Sequence, residues 1–240
     1  MHSRSLRLTR IVFWILVVGS PAILAGCAAF KSSPSGDVLF NGPLEQIAPF
    51  HDGDRYVWQI DGGSLPAGTY SQRVSAGPQA GEYVVTMSYS EVEVSRATFR
   101  IGDSTVSKLR DDAPSIYAAF IYEAPVPFIS VPLRSTAQRF TTGVRVEGMT
   151  GAGSVAQGTL EEVSWALPAA DAKNQFEIHR ARTIRVGGKD TYSERVTQVQ
   201  VGIGAVSSQD FLNGVPSTHL KLLCATIAGK QIGECPANTD

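Results

Sequence analysis

Outside its first 30 residues, the side chains of this sequence most able to do chemistry are two cysteines, three histidines and three pairs of acids. Cys224 and Cys235 are far enough apart for a disulfide and too far apart for the Cys-x-x-Cys spacing that lowers a thiol pKa. In an exported chain such a pair bonds, and closing so short a loop stabilises by about 3 kcal/mol. Its expected role is to pin the tail, residues 225–236, to the last strand. His51, His179 and His219 are widely separated, with none of the i, i+2 or i, i+4 spacings of a preformed ligand set, so no metal and no cofactor is expected. Asp52/Asp54, Asp111/Asp112 and Glu161/Glu162 have the residue types of a glycosidase carboxylate pair. Neighbours on a strand point to opposite faces, which separates Glu161 from Glu162 if that segment is regular. Solvated loops are the expected setting for all three pairs. Gly151-Ala152-Gly153-Ser154-Val155-Ala156 matches the dinucleotide pattern G-x-G-x-x-A, which needs a helix after it. Here β-like sequence runs on both sides, so a hairpin tip is expected instead. The chain has neither G-x-S-x-G nor H-E-x-x-H. Nothing in these residues points to an enzyme.

The elements that would carry these residues alternate with a period of two. Arg55–Ile60 places Tyr56, Trp58 and Ile60 on one face, and Tyr83–Tyr89 places Tyr83, Val85, Met87 and Tyr89 together. Val92 to Ile101 continues with a phase slip near Ser95, where a bulge is expected. Further strands are expected at 106–109, 117–122, 128–133, 140–146, 155–166, 175–186, 192–201, 205–211 and 219–227. Turn residues separate these runs, among them Asp61-Gly62-Gly63, Gly187-Gly188 and Asn213-Gly214. Roughly a dozen strands at regular spacing give an all-β fold: an antiparallel barrel, half-barrel or sandwich. Aromatic residues from Tyr56 to Phe128 crowd the first half, Tyr117 and Phe120 included. Most are expected in the core, with a subset free to line a groove. Arg55-Tyr56-Val57 and Arg139-Phe140-Thr141 echo each other, dividing the domain into halves 44–123 and 128–240 with Ala124-Pro125-Val126-Pro127 as a hinge. A duplication and the monotony of β sequences both account for that echo.

The N-terminus supplies an address. Arg4, Arg7 and Arg10 precede an apolar run from Ile11 to Ile23 that ends in Leu24-Ala25-Gly26-Cys27. A basic start, an apolar middle and a small-residue end make a secretory signal. The run is too short and too broken by Gly19, Ser20 and Pro21 for a retained span of about 20 residues. Leu24-Ala25-Gly26-Cys27 resembles the lipobox of bacterial lipoproteins. That resemblance implies a diacylglyceryl thioether on Cys27, which becomes the mature N-terminus. With Ala28 and Ala29 following, it also implies residence in the outer membrane facing the periplasm if the host is diderm. Each buried methylene of the acyl chains adds about 0.8 kcal/mol of membrane affinity. Residues 1–26 are then signal, 27–43 the lipidated cysteine and a tether containing Lys31-Ser32-Ser33-Pro34-Ser35-Gly36, and 44–240 the β domain. The full chain has 21 basic and 22 acidic residues. Losing three arginines with the signal leaves 18 and 22, a net −4 with charges interspersed, so no nucleic-acid partner is expected.

Pro49-Phe50-His51-Asp52-Gly53-Asp54-Arg55-Tyr56-Val57-Trp58 and Gly202-Ile203-Gly204-Ala205-Val206 resemble short patterns in bacterial envelope lipoproteins. These cover about a tenth of the chain and carry no catalytic residues. The β-rich carriers and receptors of the LolA and LolB type are an architectural analogy. The leading expectation is a non-catalytic envelope interaction or scaffold module that meets a protein or cell-wall partner. The alternative is a carrier or receptor holding a lipid or acylated cargo in a curved sheet. A hydrolase comes third.

Overall fold

In the computed structural model, which describes residues 36–113, 118–148, 155–169 and 174–236, the alternating runs become strands. A short β1 (Val38–Phe40) and a 3-10 turn at Leu44–Gln46 precede β2 (Arg55–Ile60), β3 (Gly68–Ala76) and β4 (Glu82–Tyr89). Then come β5 (Val92–Ile101), β6 (Thr105–Ala113), β7 (Ala118–Ser130), the two-residue β8 (Leu133–Arg134) and β9 (Gln138–Gly148). β10 (Val155–Pro168), β11 (Gln175–Val186), β12 (Lys189–Gln200), β13 (Gly204–Leu212), β14 (Val215–Ile227) and β15 (Lys230–Ile232) complete the series. Successive strands pair antiparallel from β2 onward, with β7 skipping β8 to reach β9. β14 returns to β2, from Leu220 opposite Ile60 to Thr226 opposite Arg55, and so closes a barrel of twelve strands. Closure removes the exposed edges that an open sheet would have to protect. β1 and β8 form a separate two-stranded ribbon, and β15 pairs with β14 where β13 has ended.

Alternation sends one set of side chains into the lumen and the other to the outside. The outer wall bears Arg96 with Glu93, Arg145 with Glu147, and Arg185 between Glu161 and Asp190, all partly or largely exposed. A transmembrane barrel instead turns an apolar band outward. This wall is a water-facing surface.

Three features differ from, or sharpen, the sequence reading. The expected phase slip is present, since Met87 faces Ser95 and Ser88 faces Glu93, leaving Val94 as the extra residue. β3 has no counterpart among the expected strands. Its fully buried Tyr70 and Val74 are separated by the inward position of Gln72, so the apolar residues recur every four rather than every two. Ala124–Pro127 is not a hinge but the middle of β7, where the runs expected at 117–122 and 128–133 merge. The prolines fit because β9 pairs β7 only as far as Tyr122, and because β6 pairs Arg110 with Ile121 and next Lys108 with Val126, so that four residues of β7 bulge out against one of β6.

One end of the barrel is plugged. Leu44, Ile47 and Ala48 pack under the lumen against Phe99, Val106, Ile129, Phe176 and Val199. The plug is tied in by the Gly202 N–H donating to the Gln46 carbonyl at 2.6 Å. Gly204, at φ +89°, sits so close to Pro49 that a β-carbon would lie 2.9 Å from its Cδ. The two short patterns of the sequence, around Pro49 and around Gly204, thus meet at this end. Asp54 is the knot below them. Its carboxylate accepts hydrogen bonds from the Ala228 and His51 N–H groups at 2.8 and 3.0 Å, and its carbonyl accepts from Val74. At 2 % exposure it is not the solvated loop acid expected, because three chain segments use it as their common acceptor.

Cys224 and Cys235 are joined, with Cα atoms 5.2 Å apart. The bond holds the tail after β15 over the outer face of β14, where Cys224 and its cross-strand neighbour Val57 are both buried. Replacing both cysteines by serine is expected to cost about 3 kcal/mol. That lowers the melting temperature by about 6–12 °C in a chain of this size. An unchanged melting temperature in oxidising buffer would count against the bond.

Candidate ligand cavity in the barrel lumen

Eight strands enclose just enough room for their own side chains, and twelve enclose more. A cavity of about 660 Å³ remains in the lumen above the plug. Its two walls differ. On β2, β3, β4 and β14 the inward residues are, Gln72 apart, mostly apolar and aromatic, among them Tyr56, Trp58, Val74, Val85, Met87 and Leu220. The opposite wall, on β6 and β10 to β13, carries a girdle of charge.

The ladder sets that girdle. Ser164, Arg180, Arg195 and Asp210 lie in one row across β10 to β13, and Glu162, Arg182 and Ser193 in the next. Lys108 and Asp111 join from β6. Arg182 Nε donates to Glu162 Oε2 at 2.6 Å, and Arg195 grips both oxygens of Asp210 at 2.5 and 2.7 Å. Lys108 Nζ lies 2.8 Å from Asp111 Oδ1 and 3.1 Å from Oδ2, and the Tyr122 hydroxyl donates to the same carboxylate at 2.7 Å. Arg180 has no carboxylate partner. It donates to the Phe128 carbonyl, and its guanidinium lies over the Phe128 ring at 3.8 Å. Nearly half of the Arg195 side chain (47 %) remains accessible, and because Arg195 lies opposite Arg180 on the inward face, that surface lines the lumen.

Burial and neighbouring charge act on these groups in a consistent way. Burial brings the Lys108 ammonium down to about 8 against the pull of Asp111, with Arg182 and Arg195 adding to the fall. Burial also lowers Arg180, to about 9, opposed by the charge of Glu162. For Asp111 burial favours the neutral acid, but Lys108 and Arg182 outweigh it and hold the carboxyl below its ordinary range. Loss of solvent acts against Arg182 and the half-accessible Arg195 as well, yet Glu162 and Asp210 respectively keep them above theirs.

The structure brings only part of the sequence's candidate set here. Asp111 and Glu162 enter the girdle, correcting the expectation of solvated loops, because both sit on strands at inward positions. Their neighbours Asp112 and Glu161 point outward, to Arg110 and Arg185. Asp52 accepts from the Ala76 N–H at the plugged end. The histidines stay apart: His51 meets Asp54, His219 meets Asp61, and His179 stacks on Trp165 on the outer wall. Among the described residues no group of three histidine, cysteine or acidic side chains could hold a metal ion. Leu24, Ala25, Gly26, Cys27, Tyr117 and Gly151–Ser154 lie outside the described residues. Lys108, Arg180, Arg182, Arg195 and Asp210 were missed by the sequence reading. A signal for them exists, since Arg180 and Arg182 occupy the apolar phase of Phe176, Ile178 and Ile184.

At the end away from the plug, Val92, Val155, Tyr192, Leu212 and Val215 are exposed near the hairpin tips. Comparison with protein-family models, with curated proteins and with solved structures finds no match to this chain.

Proposed function

We propose that this chain is a lipid-anchored envelope protein whose barrel takes up an amphipathic small molecule, a carrier or receptor rather than a scaffold. The observation that carries the reading is the unfilled lumen. Protein interiors are normally packed as densely as organic crystals, so about 660 Å³ of space between the strands has to be maintained by the architecture. That volume lies in the range of ligand pockets, which are mostly apolar with a few placed polar groups. Here the apolar wall suits a hydrocarbon and the girdle suits a head. The scaffold reading has one observation in its favour, the exposed apolar residues at the tips of the unplugged end, which an envelope partner would cover.

Native mass spectrometry of the exported, gently purified protein tests the carrier. A co-purifying mass in the lipid range is the expected result. A bare mass that takes up no added amphiphile would reject the carrier and turn the search to cross-linking of partners in cells. The anchor has its own test. Cys27→Ala is expected to leave an unlipidated precursor and to abolish fatty-acid labelling and membrane association, and persistent acylation would sink the lipobox reading.

A further inference from the structure

We propose that the lumen selects an anionic amphiphile, a single-chain molecule with a carboxylate or phosphate head, and that Arg180 is the residue that receives the head. This rests on the carrier reading and adds the chemistry of its ligand. The girdle sets Lys108, Arg180, Arg182 and Arg195 against Asp111, Glu162 and Asp210, four cations to three carboxylates. Each carboxylate is taken by one of the other three cations, and Arg180 is left over. It is only 5 % exposed, and its Nε has no hydrogen-bond partner. An isolated buried cation is costly unless a counter-charge reaches it. The ladder aggravates this, because Arg180 lies directly opposite Arg195 and two residues from Arg182 on the same face. An anion held by Arg180 beside the accessible face of Arg195 would relieve both costs.

The far wall points the same way. Trp58 Nε1 is the other buried nitrogen of this cavity without a partner, and it too is a donor. The lumen therefore offers unmet donors at both walls, and the ligand that completes it brings acceptors. Tyr56, Val85, Met87 and Leu220 give a hydrocarbon tail its contact.

The test compares heads on one tail. Full-length protein, stripped of lipid at pH 7, is titrated calorimetrically with dodecanoate, dodecyl phosphate, dodecanol and dodecyltrimethylammonium, each below its micellar concentration. Dodecanoate or dodecyl phosphate is expected to bind at least tenfold more tightly than dodecanol, and the better of the two identifies the head. Arg180→Met is expected to remove at least tenfold of that anion's affinity and leave dodecanol within twofold. The comparison of heads on the unaltered protein stands even if that variant folds poorly. Equal binding of dodecanol, or preference for the ammonium, would overturn the anionic head and leave the carrier standing. Binding of none of the four would overturn both.

Discussion

Replacing Glu162 by glutamine is expected to cost about 3–5 kcal/mol, the usual penalty for stranding one partner of a buried ion pair. Glu162 is 3 % exposed, and its Oε2 is the acceptor that holds Arg182 at 2.6 Å. Arg182 cannot relieve the loss by giving up its proton, since its ordinary pKa is above 12 and this setting raises it further. Its neighbours in the girdle are Arg180 and Arg195, so the amide would leave Lys108 and three guanidinium groups facing two carboxylates, Asp111 and Asp210, both already held by other cations. The measurement is urea unfolding of wild type, Glu162→Gln, Arg182→Met and the double variant. The double variant should recover most of the loss, because it removes the stranded charge along with its partner. A single variant within 0.5 kcal/mol of wild type would show that lumen water solvates the girdle fully, and the buried-charge argument would fall.

Ala97→Trp is expected to lower ligand affinity at least tenfold, about 1.4 kcal/mol, while the barrel still forms. Ala97 faces the lumen on β5, directly between Val85 of the apolar wall and Asp111 of the girdle. An indole there occupies the space where a head would pass into a tail. Overpacking a filled core costs about 1–3 kcal/mol, but this side chain would grow into a cavity, so its stability cost should be small. Affinity for the best of the dodecyl probes, read beside the melting temperature, separates the two effects. Unchanged affinity in a well-folded variant would place the ligand outside the lumen.

Much of the barrel is legible in the sequence because a strand with one face in the core and one in water must alternate. Arg55–Ile60, Gln175–Val186 and the slip near Ser95 all become what their patterns imply. Where the lumen is not simply apolar the same logic fails. Gln72 breaks the signal of β3, and the charges of Arg180 and Arg182 look like surface residues unless their phase is noticed. Prolines at 125 and 127 suggest a hinge to any local reading, since only the neighbouring strands reveal that β9 has stopped pairing before them and that β7 bulges away from β6 beside them.

By itself, then, the sequence determined the all-β class, which follows from local period, and it offered Cys224 and Cys235 as a pair on the expectation that Cys27 carries lipid. Tertiary structure alone decided that the sheet closes, since closure depends on β14 meeting β2 across some 160 residues of chain and on the summed stagger of twelve strands. It also decided that Asp111, Glu162, Arg180 and Arg195 share one lumen. Each side chain's direction is set by its own strand, but their convergence is set by the curvature of the whole wall.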